Sequence, residues 1–413
     1  MQTNALIVGS GGREHAIAWK IRQSKLVGKV FVAPGNGGTA EFNVPINADD
    51  FNALSAFAKE NHCLTIVGPE GPLAAGIVDY FSKQSLPIFG PTKDEAMLET
   101  SKSFAKEFMK SHDIPTAKFG VFDDSQKAID YSHTLDGKVA VKADGLAAGK
   151  GVFVCSSIKE AEEAIKSILE KKAFGEAGKK VVVEERLDGT ECSLMTICDG
   201  KNALPFGSAK DHKRAFDNDE GPNTGGMGAF SPTDDLDSKT TEEIMRRITL
   251  PTVRAANFHG FLYIGLMLTK NGPRVLEFNA RLGDPETQAI LPRLKSDLLS
   301  ALLTIQESNS IVELEWSSDY SCTVVMCSQG YPQTPKTGDK ISGIQSANGL
   351  DGVTVFHSGT QKRGEEYFTN GGRVLGVNGI GKSLPSAVEM AYSGVSMIKW
   401  NGEHHRNDIG GVA

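Results

Sequence analysis

The first 100 residues alternate short apolar runs with amphipathic stretches, and no other feature of the chain limits its fold as strongly. Each apolar run is about four or five residues long and is followed by helical spacing, an order that is typical of βαβ units with a parallel sheet. Parallel sheets bind ligands at the carboxyl ends of their strands. Here those ends carry the glycine-rich loops 9–14, 33–38 and 68–72. The sequence therefore predicts an N-terminal α/β domain with a ligand site at one edge of its sheet.

Glycine is enriched in the chain as a whole, with 45 of 413 residues, or about 11% against a usual ~7%. The glycines are clustered rather than periodic, which excludes a collagen-like chain or a flexible linker. Such clusters predict loops in which the backbone approaches a ligand closely. The 44 Lys and Arg against 51 Asp and Glu give a net charge of −7. Because nucleic-acid coats and membrane-surface binders need excess positive charge, this balance argues against both classes.

Three further features predict a cytoplasmic protein without membrane or nucleic-acid partners. The longest apolar run, 261–268, is much shorter than the ~20 residues that span a bilayer. The N-terminal segment has no basic flank and no small-residue cleavage pattern, so it predicts a first strand rather than a signal peptide. The six cysteines form no CxxC pair, which favours reduced, mostly buried thiols over structural zinc or a disulfide framework.

Three compositional regimes predict domains at 1–100, 101–320 and 321–413. The middle regime alternates helical spacing with strands. Its segment 205–234 lacks a periodic apolar pattern and predicts a long loop, a kind of segment that is usually functional or disordered. Short strands and turns follow residue 320 and predict a small β-rich C-terminal domain.

The loop 9–14 lies between a predicted strand and a predicted helix, at the place of a dinucleotide fingerprint. A G-x-G-x-x-G pattern needs a third glycine at this point, but Glu14 stands there, which weakens the interpretation as an NAD site. What remains is a helix N-terminus with free N–H groups beside Arg13, which suits a phosphate monoester. A tight turn without a ligand is the plainer alternative.

The segment 142–151 is close to a phosphate-binding P-loop without matching it. Gly145 and Gly149 are separated by three residues instead of four, and glycine follows the lysine where a P-loop has serine or threonine. Predicted strands on both sides make the segment a hairpin rather than a strand-to-helix turn. A glycine loop that carries Lys150, with Lys142 at its base, could fold over a triphosphate and neutralise it. A solvated hairpin tip is the alternative.

The segment 274–288 carries the most specific chemistry. Glu277 and Asn279 are two apart on a predicted strand and therefore point to the same face. A carboxylate beside an amide oxygen suits Mg²⁺, which prefers oxygen ligands and also takes water and substrate phosphates. Arg281 shares that face if the strand continues, which places a positive charge beside the metal. Two further acidic residues follow, and so dense a polar cluster is costly to bury without ligands.

Two other segments have plain alternatives. The apolar run 181–183 ends in Glu184 and Glu185, and by itself a strand with solvated charges is the favoured interpretation. The segment 210–230 mixes charges with a glycine-rich stretch. It is either a mobile surface loop or a substrate-binding lid that presents backbone N–H groups and charged side chains.

Taken together, these segments resemble the phosphoribosylamine–glycine ligase (glycinamide ribonucleotide synthetase) family, ATP-grasp enzymes of purine biosynthesis. The resemblance covers essentially the whole chain and runs through GGREHA, APGNGGT, TIVGPE, KADGLAAGKGV, EERLDG, DHKRAF…GPNTGGMGAF, GFLYIGLM, EFNARLGDPETQ and TNGGRVLGV. Related ligases share the ATP-binding segments but lack DHKR…GPNTGGMG. The chain departs from the family's usual EFNCRFGDPETQ at Ala280 and Leu282, neither of which carries chemistry.

The resemblance implies a fold and a reaction. The fold is an N-terminal parallel α/β domain, a central ATP-grasp domain with a mobile lid at about 116–188, and a small β-rich C-terminal domain. The reaction joins glycine to 5-phosphoribosylamine through a glycyl phosphate, with ATP and Mg²⁺ or Mn²⁺, and gives glycinamide ribonucleotide, ADP and phosphate. It needs no nucleophilic side chain, which agrees with the lack of a convincing Ser/His/Asp or Cys/His pattern. A monomer is favoured.

The resemblance also implies roles for residues. Lys102 and Lys142 would neutralise the ATP phosphates, and Arg281 would stabilise the carboxyl phosphate. The predicted catalytic groups are Arg281, Lys142 and Asp211. The predicted ATP-binding residues are Lys102, Lys142, Gly145, Gly149, Lys150, Gly151, Glu184, Glu185, Leu187 and Glu191. The predicted substrate-binding residues are Gly9, Gly11, Gly12, Arg13, Glu14, Glu70, Asp211, Lys213, Asn223, Thr224, Gly225, Gly226, Met227, Arg281 and Asp284. The predicted metal ligands are Glu277 and Asn279.

Three rival interpretations remain. Another ATP-grasp ligase could activate a different acid, such as formate or bicarbonate. A non-catalytic nucleotide-binding module would not need all four of Lys142, Glu277, Asn279 and Arg281. An oxidoreductase is disfavoured by Glu14.

Overall fold

The computed structural model describes residues 2–146, 151–308 and 310–411. Its N-terminal strands are β1 (Thr3–Gly9), β2 (Val27–Pro34), β3 (Cys63–Val67) and β4 (Ile88–Phe89). The accompanying helices are α1 (Gly12–Ile21), α2 (Phe51–Glu60), α3 (Glu70–Ala75), α4 (Ile77–Ser82) and α5 (Met97–Thr100). The strands form a parallel sheet in the order β2-β1-β3-β4, so the predicted α/β domain is confirmed.

The carboxyl ends of β1, β2 and β3 meet at one edge, as predicted. The amide of Gly35 donates to the carbonyl of Gly9 at 3.1 Å, and the amide of Gly68 donates to the carbonyl of Val8 at 3.0 Å. A Cβ at Gly68 would overlap the Glu14 carboxylate, so only glycine fits there. The apolar strands that hold these loops are buried.

The next region contains a second, antiparallel sheet. It follows α6 (Lys102–Ser111) and consists of β5 (Phe119–Phe122), β6 (Val139–Ala143), β7 (Val152–Val154) and β8 (Val181–Glu185), with α7 (Ser125–His133) and α8 (Ile158–Leu169). The strand order is β5-β8-β6-β7. The helices and strands share their own hydrophobic cluster. The predicted hairpin β6–β7 is confirmed, whereas the lid at 116–188 stays a prediction.

A large sheet follows. Its region contains β9 (Thr190–Asp199), β10 (Ala203–Asp211), β11 (Arg214–Phe216), β12 (Glu220–Asn223), β13 (Gly228–Ser231), β14 (His259–Thr269) and β15 (Gly272–Asn279). The helices are α9 (Ser238–Ile244), a π-helical turn (Met245–Thr249), α10 (Leu250–Ala256), α11 (Glu286–Ile290) and α12 (Leu298–Ser308). The predicted long loop at 205–234 is therefore wrong. Polar residues and a register shift near Gly207 hide the strand pattern of β10.

The C-terminal part is β-rich, as predicted. It contains β16 (Tyr320–Cys327), β17 (Lys340–Ile341), α13 (Ile344–Asn348), β18 (Val353–His357), β19 (Thr360–Arg363), β20 (Glu366–Thr369), β21 (Arg373–Gly381) and α14 (Leu384–Met397). The large sheet has the order β15-β14-β9-β10-β13-β16-β21-β18. It runs without a break past residue 320, because Gly228 of β13 pairs with Val324 of β16. The domain bounds themselves stay predictions.

Two other expectations can be compared with the structure. Within the described ranges, no helix is long and apolar enough to cross a membrane. All six cysteines are buried and not disulfide-bonded, in agreement with the expected thiols. Burial raises the pKa of Cys63 and Cys322 to about 12, so these thiols are uncharged at neutral pH.

Candidate active site

Lys142 lies on β6, where the antiparallel sheet β5-β8-β6-β7 meets the large sheet. It forms an ion pair with Glu184 on the neighbouring strand β8, and both side chains are almost fully buried. Its ammonium also donates to the carbonyl of Leu276 at 3.0 Å, at the point where the pairing of β14 and β15 shifts register. Lys106 from α6 pairs with the other carboxylate oxygen of Glu184. The side chain of Glu184 is thus held by two lysines, and its contact with ATP stays a prediction.

Glu277 lies on β15 beside this group. Within the described ranges, its carboxylate forms no hydrogen bond or ion pair, although its residue is half-buried. Burial would raise the pKa of Glu277, but Lys213, Lys102, Lys142 and Arg281 outweigh it and hold the pKa below its usual value. Glu277 is therefore an ionised carboxylate that faces positive charge and has no direct partner in the part of the chain that the structure describes.

Arg281 lies beyond the end of β15, so the expected continuation of the strand is wrong. The turn toward the following Gly283 carries the guanidinium to Glu99 at 2.8 Å and to Glu70 at 3.3 Å. Its Nη2 also donates to Oδ1 of Asn279 at 3.3 Å. Glu99 fixes the same turn through its second oxygen, which accepts the amide of Ala280 at 2.7 Å. Arg281 still lies beside Asn279, but carboxylates from α3 and α5 hold it there.

Asp211 is the last residue of β10 and lies near the carboxylates of Glu191 and Glu286 and the ammonium of Lys213. Lys213 forms an ion pair with Glu191 and lies 3.9 Å from Asp211. Burial raises the pKa of Asp211 to about 7, with Lys213 opposing the shift and Glu286 and Glu191 adding to it. Against the lowering effect of burial, Asp211 and Glu191 raise the pKa of Lys213 well above its usual value. Asp211 is thus a carboxyl group whose charge changes near neutral pH.

The N-terminal loops line a cleft of about 740 Å³. Glu14 caps the first turn of α1, because its carboxylate accepts the amide of Gly11 at 2.5 Å and the Nε of Arg13 at 2.7 Å. Arg13 also donates to the carbonyl of Leu282 at 3.0 Å. These contacts occupy the Gly11 amide and the Arg13 guanidinium. The amides of Gly12 and Arg13 have no hydrogen-bond partner among the described residues, so the phosphate cradle expected at this helix end stays a prediction. Gly9, Glu70 and Asp284 also line the cleft, and most of the charged side chains that line it are acidic. The substrate contacts of these residues stay predictions.

The segment 223–227 is an ordered turn between β12 and β13. The amide of Thr224 donates a hydrogen bond to the carbonyl of Lys213 at 2.8 Å. The amide of Gly225 donates to the hydroxyl of Tyr331 at 3.0 Å, so the C-terminal part supports the turn. Met227 is fully buried in the C-terminal core, and its amide and carbonyl are both hydrogen-bonded. Substrate contact by the Met227 side chain would require this turn to open. Of the other predicted residues in the turn, Gly225 is exposed and Asn223 half-buried, whereas Thr224 and Gly226 are buried.

Family models match three consecutive parts of the chain. They are the phosphoribosylglycinamide synthetase N domain at 3–99, the ATP-grasp (A) domain at 100–287 and the C domain at 321–412. The chain belongs to the phosphoribosylglycinamide synthetase family. The resemblance predicted from the motifs is thereby confirmed, as is the ATP-grasp fold class.

Individual relatives support the assignment to the phosphoribosylglycinamide synthetase family. Proteins named phosphoribosylamine–glycine ligase from Vibrio vulnificus and Pseudomonas aeruginosa are 49% and 46% identical to the chain, with 98% of it and 97% of each relative covered. The crystal structure of phosphoribosylamine–glycine ligase from Thermotoga maritima has a TM-score of 0.84 at 32% identity, covering 98% of this chain and all of that one. A biotin carboxylase from Campylobacter jejuni, with a TM-score of 0.73 at 16% identity over 98% and 93% of the two chains, shows the fold alone.

In this family member, several predicted nucleotide residues lie close together. Lys102 begins α6, and its ammonium lies 3.5 Å from the carbonyl of Gly145. The amide of Ala143 donates to the carbonyl of Gly151 at 2.8 Å, which closes the base of the glycine loop. Gly149 and Lys150 lie outside the described residues. Glu185 ends β8 and Leu187 lies in the connection to β9, and their contacts with a nucleotide stay predictions.

The sequence did not single out three residues that the synthetase fold brings to the site. Lys106 pairs with Glu184, Glu99 pairs with Arg281, and Arg373 lies 3.3 Å from Asp284. Lys106 follows Lys102 by one helical turn, which was an available signal. Arg373 lies in the motif TNGGRVLGV. Glu99 had no signal, because its partner is distant in sequence.

The residues present fit a divalent cation. Glu277 supplies an ionised oxygen donor without a partner among the described residues, and the Oδ1 of Asn279 supplies a second. Such a pair suits Mg²⁺ or Mn²⁺, which keep further positions for water and substrate phosphates. The described ranges contain no group of three or more His, Cys, Asp or Glu that could hold a metal ion. The site therefore fits a metal that arrives with a phosphate-bearing substrate.

Replacing Asp211 with asparagine should affect stability and activity in opposite directions. The folded-state pKa of Asp211 is raised from 3.8 to about 7, so its ionisation destabilises the fold as pH rises through this interval. As pH rises from 4 to 8, the free energy of unfolding of Asp211→Asn should increase relative to that of the parent chain. The increase should be on the order of a few kcal/mol, since one pKa unit corresponds to about 1.4 kcal/mol. Thermal melts at both pH values measure the difference. The same change in Tm at both pH values would contradict the raised pKa of Asp211. The ligase activity of Asp211→Asn should fall at least ~10-fold, because the proposed proton acceptor is lost.

Proposed function

We propose that the chain is an ATP-dependent ligase that joins glycine to 5-phospho-D-ribosylamine and gives glycinamide ribonucleotide, ADP and phosphate. Its place would be in de novo purine biosynthesis. The observation that carries this proposal is the convergence of Lys142, Glu277, Asn279 and Arg281 between the two sheets of a phosphoribosylglycinamide synthetase fold. The named relatives support the same activity.

The first chemical step transfers the γ-phosphoryl group of ATP to a carboxylate oxygen of glycine. Such a transfer depends mainly on positioning and on neutralising charge. Lys142 and Lys102 would contact the phosphates, and Arg281 would stabilise the developing charge on the carboxyl phosphate. A divalent cation held by Glu277 and Asn279 would neutralise phosphate oxygens.

The second step forms the amide. The amine of phosphoribosylamine attacks the glycyl carbonyl, the bond to the phosphate oxygen breaks, and one amine proton is lost. Asp211 is suited to accept this proton, because its raised pKa lies near neutral pH. Lys213 beside it would keep the carboxylate in place.

The remaining substrate groups belong with the N-terminal cleft. Its carboxylates from Glu14, Glu70 and Asp284 suit ribose hydroxyls and an amine. The amides of Gly12 and Arg13 at the start of α1, which have no hydrogen-bond partner among the described residues, suit the 5-phosphate.

A cytoplasmic monomer is part of the same proposal. The buried, unpaired cysteines support a reducing compartment. Light scattering after size exclusion should give the mass of one chain, and the mass of two would contradict the monomer.

The direct test measures ADP formation with glycine and freshly prepared phosphoribosylamine. ATP consumption should require both substrates together with Mg²⁺ or Mn²⁺. Formate and bicarbonate serve as competing acids. Consumption of ATP with either of them, but not with glycine, would replace the proposal with the alternative ligase of nucleotide metabolism.

A further inference from the structure

Lys106, Glu184 and Lys142 form a buried charged array in which the lysines outnumber the carboxylate. Their side chains are 3%, 2% and 6% exposed. Each lysine contacts a different oxygen of Glu184, so the two do not compete for one acceptor. The array therefore holds one more positive charge than negative charge.

The two lysines are anchored differently. The ammonium of Lys106 donates to the hydroxyl of Thr116 at 2.7 Å, and this hydroxyl donates to the carbonyl of Val275 at 2.7 Å. These bonds fix Lys106 between α6 and the large sheet. Apart from Glu184, Lys142 has only the carbonyl of Leu276 as a partner among the described residues. Of the two, Lys142 is therefore better placed to move toward an incoming anion.

Charge balance decides how strongly Lys142 is held. Burial would raise the pKa of Glu184, but Lys142 and Lys106 keep it below its usual value, so the carboxylate is ionised. A buried carboxylate needs a positive partner. With Lys106 present, Glu184 keeps such a partner when Lys142 turns to a phosphate. Without Lys106, that movement would leave Glu184 buried and unpaired.

We propose that Lys106 is a positioning residue for nucleotide binding, which acts by holding Glu184 and thereby leaves the charge of Lys142 available to a nucleotide phosphate. This inference rests on the proposed function only in its assignment of Lys142 to a phosphate. It requires neither glycine nor phosphoribosylamine as the second substrate.

The test measures the Kd of the full-length chain for MgADP by calorimetry at pH 7.0. Burial lowers the pKa of Lys106 to about 8, so most of it is protonated at this pH. Lys106→Met should weaken binding roughly 10-fold or more, the scale of one charged hydrogen bond. The double variant Lys106→Met/Glu184→Gln should recover most of that loss, because Lys142 no longer faces a lone carboxylate. The control Lys110→Met lies one turn along α6, is 71% exposed, and should bind as the parent does.

Two results would overturn the proposal. One is parent-like binding by Lys106→Met, and the other is a double variant that binds no more tightly than the single variant. A merely structural role gives the second result, because the two losses then add. If Lys106→Met does not fold, Glu184→Gln is compared with the double variant. Equal affinities support the inference, and weaker binding by the double variant overturns it.

The same measurements separate this inference from the proposed function. A parent chain that binds MgADP but makes no product from glycine and phosphoribosylamine contradicts the function and leaves the binding comparison valid. A chain that makes product while Lys106→Met binds MgADP normally contradicts the inference alone.

Discussion

Replacing Glu277 with glutamine should lower kcat at least ~10²-fold while the protein remains folded. Glutamine keeps the shape of the side chain but removes the negative charge. Because the carboxylate has no partner among the described residues, its loss breaks no contact there. Steady-state kinetics over a range of Mg²⁺ concentrations measures the effect, and the metal concentration needed for half-maximal rate should also rise.

The matched control is Glu243→Gln. Glu243 is a carboxylate in α9 that pairs with Arg247 at 2.6 Å, away from the candidate site. It should retain activity within about twofold, since an exposed ion pair contributes little to stability. Parent-like turnover by Glu277→Gln would remove Glu277 from the metal site.

Replacing Lys142 with methionine should lower kcat/KM for ATP at least ~10²-fold, because a charge that stabilises the transferring phosphoryl group is lost. The fold should survive, since Lys106 still pairs with Glu184. Initial rates and a thermal melt test both parts. Lys138→Met is the control, because Lys138 is exposed just before β6.

A small kinetic effect of Lys142→Met would show that Lys142 does not reach the nucleotide. A large loss of stability would show instead that its pair with Glu184 is needed for folding. In that case the activity of the variant would report on the folded fraction, and rates would be compared per folded molecule.

Local sequence patterns predicted those parts of the fold that depend on neighbouring residues. The N-terminal alternation gave the parallel sheet, and the glycine-rich segment 142–151 gave a hairpin. Period-two spacing correctly placed Glu277 and Asn279 on one strand, β15. These features are visible because residue spacing alone determines which face a side chain occupies.

Partners that are distant in the chain could not be predicted in the same way. Arg281 is held by Glu99, 182 positions earlier, and no periodicity connects them. The strand β10 was missed because its side chains are mixed and its register shifts. The role of Glu14 was also missed, because this residue was considered only as a missing glycine. In the fold, Glu14 is the cap of α1.

The most direct test of carboxylate activation uses glycine labelled with ¹⁸O in its carboxyl group. If ATP phosphorylates that carboxylate and the amine then displaces phosphate, one labelled oxygen passes to inorganic phosphate in each turnover. Mass spectrometry should find phosphate with a single ¹⁸O and glycinamide ribonucleotide that retains the other. Product formed with unlabelled phosphate would contradict activation of glycine through an acyl phosphate.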